Sequence, residues 1–492
     1  MLLATSFTFG TSGVGCGGDD DQTVPDTIEP EAVYAARCQS PRSGSDFSDV
    51  KGSLLDEQLW LRSWTDNTYL WYQEVPHADP KAFSSAIAYF NVLKTGVVTK
   101  SGKAKDRFHF TYNTADWEAL SQTGVEASYG FLLVLISAAP PRKAVIAYTE
   151  PNTPAAAAGI DRGASIISVD GVDLQNGSDV DTLNAGLFPN GPGESHTLII
   201  LDRGASAPRA VALTSASITN IPVKNLPVIT TDTGKVGYLV FNDHIATAEK
   251  GWVDAVNQLA GAGISDLVLD MRYNGGGYLA IASQVAYMIA GPSHTAGKTF
   301  ETTQFNDKHT TMDPVTGQAI TPTPFLDKTL GFSVDEGQAL PTLGLSRVFV
   351  LTGPGTCSAS EAVLNGLAGI DVQVIQIGAT TCGKPYGFYP ADNCGTTYFS
   401  IQFQGVNNKG FGDYPDGFVP GVGFTGCVVG DDFTHALGDP AEGRLAAALS
   451  YRATGACPAQ PAARSSEIDL SSADGEVPKS LWRQNRIMTR LR

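Results

Sequence analysis

The sequence predicts a multidomain α/β protein whose largest part is a mainly parallel sheet flanked by helices. From Val236 onwards, short apolar runs suited to buried strands alternate with helical patterns. Strands are predicted at 236–241, 264–271, 348–351 and 372–377, and helices at 248–262, at 279–289 and from Ser358. Because parallel strands need a crossover connection, usually a helix, this alternation favours an α/β core over residues 218–458.

Length and composition limit the possible classes. A chain of 492 residues has room for about three domains. Apolar residues make up 42% and charged residues 17%, which is typical of folded rather than disordered protein. The net charge of −17 argues against nucleic acid and anionic membrane surfaces as partners.

Two further folded regions are predicted before the core, with polar segments at either end. Residues 53–122 carry aromatic side chains at helical spacing, among them Trp60, Trp64 and Trp71, and predict a small helical domain. Residues 17–52 are rich in Pro, Asp, Ser and Gly and predict a linker. Residues 459–492 are expected to form a docking or flexible tail.

Residues 123–217 predict short strands joined by Gly and Pro turns. Within them, the segment from Pro154 to Gly171 (PAAAAGIDRGASIISVDG) resembles the corresponding stretch of PDZ domains, with Ala164 in place of the usual aspartate. That resemblance implies that Tyr129, Gly130 and Phe131 form the loop whose backbone N–H groups receive a peptide carboxylate, while the peptide adds a strand. The alternative is a small β domain of another kind.

The N-terminus and the cysteines bear on the compartment. Residues 1–16 form a short apolar stretch that ends in small residues and Cys16, and an acidic linker follows. This resembles a bacterial lipoprotein signal with Cys16 as the lipidated residue, although no Lys or Arg precedes the apolar run. Six further cysteines suit disulfides in an oxidising compartment, with Cys382 and Cys394 the closest plausible partners. No CxxC pair occurs, so a zinc site is not expected, and no metal or cofactor is predicted.

The segment Gly355–Glu361 (GTCSASE) places Ser358 at a turn from a strand into a helix. The free N–H groups of a helix start lie beside such a residue, which suits a nucleophile whose oxyanion needs donors. Ser358 and Glu361 also match a capping box, in which both side chains only satisfy the helix end. This stretch alone leaves both interpretations open.

Two other stretches carry possible chemistry. Asp270–Gly277 (DMRYNGGG) ends a strand with three glycines, which allow close approach of backbone to a ligand. Thr380–Phe388 (TTCGKPYGF) places Lys384 among few charges and beside aromatic residues. A lysine acts as general base only when it is neutral, and desolvation favours that form. An ordinary surface lysine is the alternative.

Together the three stretches resemble the C-terminal processing (tail-specific) serine peptidases of family S41, with Ser358-Ala359-Ser360-Glu361 and Gly383-Lys384 matching the family motifs. The resemblance implies a core of the ClpP/crotonase type, with Ser358 as nucleophile and Lys384 as general base. It further implies an oxyanion hole formed by N–H groups of Ala359 and of Gly275 or Gly276. Glu361 is then structural and binds backbone at the helix start.

The chain departs from the family four residues after the lysine, where Phe388 replaces an orienting glutamine. Gln402 or Gln404 could substitute for that glutamine, or backbone alone could hold Lys384. A disulfide at Cys357 or Cys382 could brace the two catalytic residues.

The sequence therefore predicts an exported serine endopeptidase that recognises the C-terminal tails of polypeptides, with a membrane link only through a lipid anchor. One alternative is a Ser-His protease resembling the tricorn type, for which His109 and His244 are the candidates. Another is a non-catalytic, PDZ-bearing binding or scaffold protein. An α/β-hydrolase is excluded because Ser358 lacks the flanking glycines of G-x-S-x-G.

Overall fold

A computed structural model describes residues 24–25, 27–459, 470, 473–477 and 486–487 of the chain. Its first half contains the following helices and strands: β1 Arg37–Cys38, β2 Val50–Lys51, α1 Leu54–Thr68, α2 Ala86–Phe90, β3 Phe110–Asn113, α3 Thr114–Thr123, β4 Val125–Ser128, β5 Phe131–Ser137, β6 Lys143–Thr149, α4 Pro154–Ala157, β7 Ser165–Val169, β8 Val172–Asp173, α5 Val180–Leu187, β9 Ser195–Leu201, β10 Arg209–Thr214 and β11 Ala216–Thr219.

The second half begins at Val223 and ends, for the described residues, at Ile487. It contains β12 Val223–Lys224, β13 Val228–Thr231, β14 Gly234–Phe241, α6 Ala248–Ala262, β15 Asp266–Asp270, β16 Gly277–Tyr278, α7 Leu279–Ala290, α8 Pro292–Thr295, β17 Thr299–Gln304, β18 Thr323–Pro324, β19 Arg347–Thr352, α9 Ala359–Gly369, β20 Gln373–Gly378, β21 Tyr386–Gly387, β22 Ala391–Asn393, β23 Thr396–Phe399, β24 Phe403–Val406, β25 Thr425–Val428, α10 Gly443–Thr454 and β26 Arg486–Ile487.

The central sheet is mainly parallel and confirms the predicted α/β class. Its strand order is β12-β14-β15-β19-β20-β25, and β13 also pairs with β14. The pairs β14/β15, β15/β19, β19/β20 and β20/β25 are parallel, whereas β12 and β13 run antiparallel to β14. Helix α6 covers the predicted 248–262, and the other predicted core strands and helices lie within two residues of their predicted ends.

Helices cover both faces of this sheet because its strands are apolar on both sides. Leu239 and Leu269 belong to the apolar cluster that includes Trp252 of α6 and residues of α7 and α9. Tyr238 and Val268 face the other way and pack with residues of α10. Both catalytic candidates follow strands of this sheet: Ser358 follows β19, and Lys384 follows β20.

A second sheet lies before the core, where a PDZ-like domain is predicted. Its strand order is β10-β9-β7-β6-β5, β8 pairs with β7, and β5 is an edge strand. The sheet and α5 enclose an apolar cluster of their own. Arg162 connects this unit to the core. Its guanidinium donates hydrogen bonds to the Asp431 carboxylate at 2.7 Å and to the Tyr273 hydroxyl at 2.6 Å. The assignment to the PDZ family stays a prediction.

Part of the predicted linker at 17–52 is structured in the described residues. Strands β1 and β2 pair there, and the Cys38–Cys394 disulfide ties this segment to the core. The helices of 53–122 are also not separate from the core, because β3 pairs with β23 and Trp60 packs on Tyr398. Composition indicated a linker, but a partner 356 residues away in sequence holds it in place.

Among the described residues, no helix has the length and apolar character needed to cross a membrane.

Candidate active site

Ser358 occupies the turn between β19 and α9 in a strained backbone conformation. Its φ of 61° and ψ of −114° lie where non-glycine residues rarely occur. The residue is fully buried, and its Oγ has no hydrogen-bond partner among the described residues. Ser358 therefore does not cap the helix through its hydroxyl, which is left available for chemistry.

Lys384 lies in the loop after β20, in largely apolar surroundings. It is fully buried, and its Nζ lies 4.8 Å from the ring centroid of Phe108 and 4.4 Å from that of Phe388. Gly383 lets this loop pass close to the backbone at Pro415. Its φ is +86°, and a Cβ there would lie 2.4 Å from the Pro415 carbonyl oxygen. Two aromatic rings thus face the amine, and one of them belongs to Phe388, the residue expected from the family resemblance to replace an orienting glutamine.

Glu361 connects the serine turn to the lysine loop. Its Oε2 accepts the backbone N–H groups of Ser358 at 2.9 Å and of Lys384 at 2.8 Å. Its Oε1 accepts the Thr381 hydroxyl at 2.5 Å and the Gly383 N–H at 2.9 Å. Burial raises the pKa of this carboxyl, and the four hydrogen bonds oppose that shift. One side chain therefore positions both catalytic candidates, a wider role than the predicted cap.

A disulfide joins Cys357 to Cys382, beside the same two residues. The two Cα atoms lie 5.1 Å apart, and the bond connects the residue before Ser358 to the residue before Gly383. The expected pairing of Cys382 with Cys394 is wrong, because Cys394 pairs with Cys38 instead. Spacing along the chain failed here because the fold brings distant cysteines together. The sulfur atoms lie near Glu361, but once bonded to each other they are not thiolate ligands for a metal.

The glycine segment lies alongside the serine turn. The Asn274 carbonyl accepts the Cys357 N–H and the Ser360 hydroxyl, both at 3.0 Å. The N–H of Gly276 donates to Asn274 Oδ1 at 3.0 Å, so this donor has a partner in the structure, and its use in an oxyanion hole stays a prediction. Ala359 begins α9, where an N–H has no acceptor within the helix. Ala359 and Gly275 remain the candidate donors.

Neither histidine candidate makes a hydrogen bond to the serine hydroxyl. His109 stacks on Phe90, and its Nε2 lies 2.8 Å from the Phe90 carbonyl oxygen. The Nδ1 of His244 lies 3.1 Å from Asn274 Oδ1, which places this ring beside the glycine segment. Burial lowers the pKa of His109 to about 4 and that of His244 to about 3, so both rings are neutral at physiological pH.

The glutamines proposed to orient the lysine have other partners. Gln402 Oε1 accepts the Tyr389 N–H at 2.8 Å, and Gln404 Nε2 donates to the Gly412 carbonyl at 2.7 Å. Gln402 Nε2 is buried without a partner in the described part of the chain. These bonds hold the strand after the lysine loop, and the orienting role stays a prediction.

The predicted peptide loop lies at the start of edge strand β5. The Tyr129 hydroxyl donates to the Gly186 carbonyl at 3.1 Å, and the Gly130 N–H donates to Ser128 Oγ at 3.2 Å. Phe131 is the first residue of β5 and pairs with Thr149 of β6. Cys16, the predicted lipidation site, lies outside the described residues.

Phe108 and Arg107 are contributions to the site that the sequence did not predict. Phe108 is one of the two rings at Lys384, and the Arg107 guanidinium donates to the Cys382 carbonyl. Both belong to the segment before β3. Nothing local in that segment points to the lysine, so only the tertiary structure identifies them.

Comparison with known proteins finds similarity over the region of the chain that contains Ser358 and Lys384. Residues 235–387 match the family model described as peptidase family S41. A carboxyl-terminal-processing protease from Picosynechococcus sp. is 31% identical over 137 residues, which is 28% of this chain and 32% of that protein. The chain thus aligns with about a third of the length of that curated relative. A solved structure from Bacteroides fragilis, described as an S41 protease, is 24% identical with a TM-score of 0.58 and covers 84% of this chain and 100% of its own, which shows a shared fold.

Proposed function

We propose that the chain, whose residues 235–387 match the model of peptidase family S41, is a serine endopeptidase with Ser358 as nucleophile and Lys384 as general base. The observation that carries the proposal is the shared Glu361 Oε2, which accepts the backbone N–H groups of both residues. A carboxylate buried for this purpose fixes the two candidates against each other. Positioning of that kind is a large part of how enzymes lower activation barriers.

In the proposed reaction, Ser358 Oγ forms a bond to the scissile carbonyl carbon while the neutral Lys384 amine takes the hydroxyl proton. The carbonyl oxygen becomes an oxyanion, and the N–H groups of Ala359 and Gly275 stabilise it. When the C–N bond breaks, the lysine returns the proton to the leaving amine. Water then attacks the acyl carbon while the lysine accepts a proton from it, and the lysine returns that proton to Ser358 Oγ as the acyl C–O bond breaks, which frees Ser358 and the new carboxylic acid.

The proposed substrates are the C-terminal tails of exported polypeptides. The relative from Picosynechococcus sp. carries the name of a carboxyl-terminal-processing protease. Edge strand β5, which begins at the predicted carboxylate loop, supports recognition by strand addition.

Export of the protein to an oxidising compartment, as a lipoprotein anchored at Cys16, belongs to the same proposal. The disulfides Cys38–Cys394, Cys357–Cys382 and Cys427–Cys457 support such a compartment. Labelling with radioactive palmitate in a bacterial host tests the anchor. Label in the wild type and none in Cys16→Ser is expected, whereas equal label in both would contradict it.

The decisive experiment compares the wild type, Ser358→Ala and Lys384→Ala on a denatured protein substrate. Loss of at least about a thousandfold in kcat is expected for each, as for other activated nucleophiles. Ser195→Ala and Lys409→Ala are matched controls, because both residues lie on the surface away from the turn. Activity that survives both active-site changes would exclude the Ser-Lys pair, and tail-peptide binding without any cleavage by the wild type would favour a scaffold protein.

A further inference from the structure

A short strand of the C-terminal tail, β26, lies against the proposed active site. Strand β26 pairs in parallel with β16, with Arg486 opposite Gly277 and Ile487 opposite Tyr278. Strand β16 directly follows Gly275 and Gly276 of the glycine segment. Strand β26 also lies beside β21, which begins two residues after Lys384. The backbone of β26 therefore lies between the segments that carry the oxyanion donors and the general base.

The described residues further upstream show how the tail approaches. Glu476 forms an antiparallel bridge to Leu135, with N–H to carbonyl distances of 2.8 Å in both directions. This bridge occupies the free side of β5, the edge at which peptide addition is proposed. The tail thus covers part of that edge before it reaches the cleft.

Specific contacts anchor this part of the tail near the serine turn. The Ala473 N–H donates to the Asp431 carbonyl at 2.8 Å, and Asp474 forms an ion pair with Arg444. Val477 packs on Gly355, three residues before Ser358, where a Cβ would lie 2.9 Å from Val477 Cγ2. Residues 473–477 therefore lead the chain to the mouth of the proposed site.

The charge of the tail complements the rest of the protein. Residues 478–492 contain Lys479, Arg483, Arg486, Arg490 and Arg492 and no acidic residue. The chain as a whole has a net charge of −17. Because opposite charges attract, a basic tail binds to an acidic protein more favourably than an uncharged tail of the same length would.

We propose that the tail beyond Val477 is a tethered ligand of the substrate cleft: its strand Arg486–Ile487 docks on Gly277–Tyr278 and competes with substrates. The proposal rests on the proposed function for the identity of the cleft. A short tether gives an effective concentration in the millimolar range. If the tail binds with roughly 0.1 mM affinity, its removal lowers the KM about tenfold and leaves kcat nearly unchanged.

Hydrogen exchange tests the docking without relying on activity. Full-length Ser358→Ala is compared with the same variant ending at Val477, after intact mass has verified both chains. Faster exchange of residues 275–279 in the shortened chain is expected. Equal exchange in the two proteins would overturn the proposal, whether or not the wild type is a peptidase.

A proline substitution covers the case in which the shortened chain does not fold. Ile487→Pro removes an N–H from the paired strand and is expected to reproduce the faster exchange. Thr489→Pro, two positions beyond β26 in sequence, is the matched control and is expected to behave like the parent. Equal effects of the two prolines would contradict the β16/β26 pairing.

Binding in trans and kinetics complete the test. A fluorescent peptide of residues 478–492 is expected to bind the shortened Ser358→Ala protein more weakly as salt rises, and its Ile487→Pro analogue to bind at least about tenfold more weakly. Absence of binding would overturn the proposal. If the wild type cleaves a denatured substrate but truncation leaves its KM unchanged, the proposed function stands and the tail proposal fails.

Discussion

The backbone N–H groups of Ser358 and Lys384 donate to the same oxygen atom, Oε2 of Glu361. The two nitrogen atoms are therefore no farther apart than the sum of these two hydrogen-bond lengths, although the residues are 26 positions apart in sequence. The Cys357–Cys382 disulfide joins the same two segments covalently. The serine turn and the lysine loop are therefore held together as one structural unit.

Replacement of Glu361 is expected to reduce both activity and stability. Glu361→Ala leaves four donors unsatisfied in the interior, at a cost of about 1–3 kcal/mol for each buried group. Glu361→Gln keeps the shape but offers only one acceptor oxygen, so its kcat should fall about tenfold or more with little change in KM. Steady-state kinetics and denaturant unfolding measure both effects. A Gln variant with full kcat would show that the carboxylate does not position the pair.

The disulfide beside the site is expected to matter for catalysis as well as for stability. Cys357→Ala/Cys382→Ala opens a loop with a sequence separation of 25, and Cys427→Ala/Cys457→Ala opens one of 30. Loop entropy predicts a similar loss of about 3.5 kcal/mol for each pair. Only the first pair should lower kcat, because only it joins the serine turn to the lysine loop. Equal kcat in the two double variants, measured under conditions where both are folded, would argue against a bracing role.

The strained backbone of Ser358 predicts a trade between stability and function. At φ 61° and ψ −114° a glycine is much less strained than a serine, a difference of about 1–3 kcal/mol. Ser358→Gly should therefore be inactive yet more stable than Ser358→Ala, which keeps the strain. Urea unfolding of the two variants gives the comparison. A glycine variant no more stable than the alanine variant would indicate that the turn stores no strain.

The pH dependence of the rate distinguishes a lysine base from a histidine base. Burial lowers the pKa of His109 to about 4 and of His244 to about 3 in the folded protein. A rate that depended on either neutral ring would be constant from about pH 5 to pH 8, whereas a lysine must lose its proton and gives a rate that rises towards alkaline pH. Single-turnover rates between pH 5 and 9 test this. An alkaline rise that persists in His244→Asn would exclude that histidine as the base.

The same two histidines predict loss of stability in mild acid. Their folded pKa values lie below the value of about 6.5 expected in the unfolded chain. Below pH 6.5 the unfolded state therefore binds more protons, and the free energy of unfolding falls as the pH falls towards 4. Between pH 6.5 and 5 each ring should contribute a loss of roughly 2 kcal/mol.

Urea unfolding of the wild type and His109→Gln at pH 7 and pH 5 measures that loss. The variant should lose less stability than the wild type between the two values. His77→Gln is a suitable control, because His77 is exposed. An equal loss in the His109 variant and the wild type would contradict the assignment of a low pKa to His109.

Local patterns determined much of the core and its chemistry. Apolar runs alternating with helical periods predicted the strands and helices from β14 to β20, because buried parallel strands and amphipathic helices impose those periods on sequence. Ser358, Lys384 and the glycine segment each stood out as a short motif at the end of a predicted strand, and the resemblance of the three motifs to those of family S41 suggested their roles. These features depend on neighbours along the chain, and a sequence records such neighbours directly.

Tertiary structure alone decided which distant segments meet. It brought Phe108 to Lys384, tied Cys38 to Cys394 within a predicted linker, and set the tail strand at Arg486 against Gly277. It also gave Glu361, which accepts the nearby Ser358 N–H, a second backbone partner in the Lys384 N–H, 23 positions away in sequence. Such contacts depend on how segments far apart in sequence pack together, and a short motif carries no record of a partner hundreds of residues away.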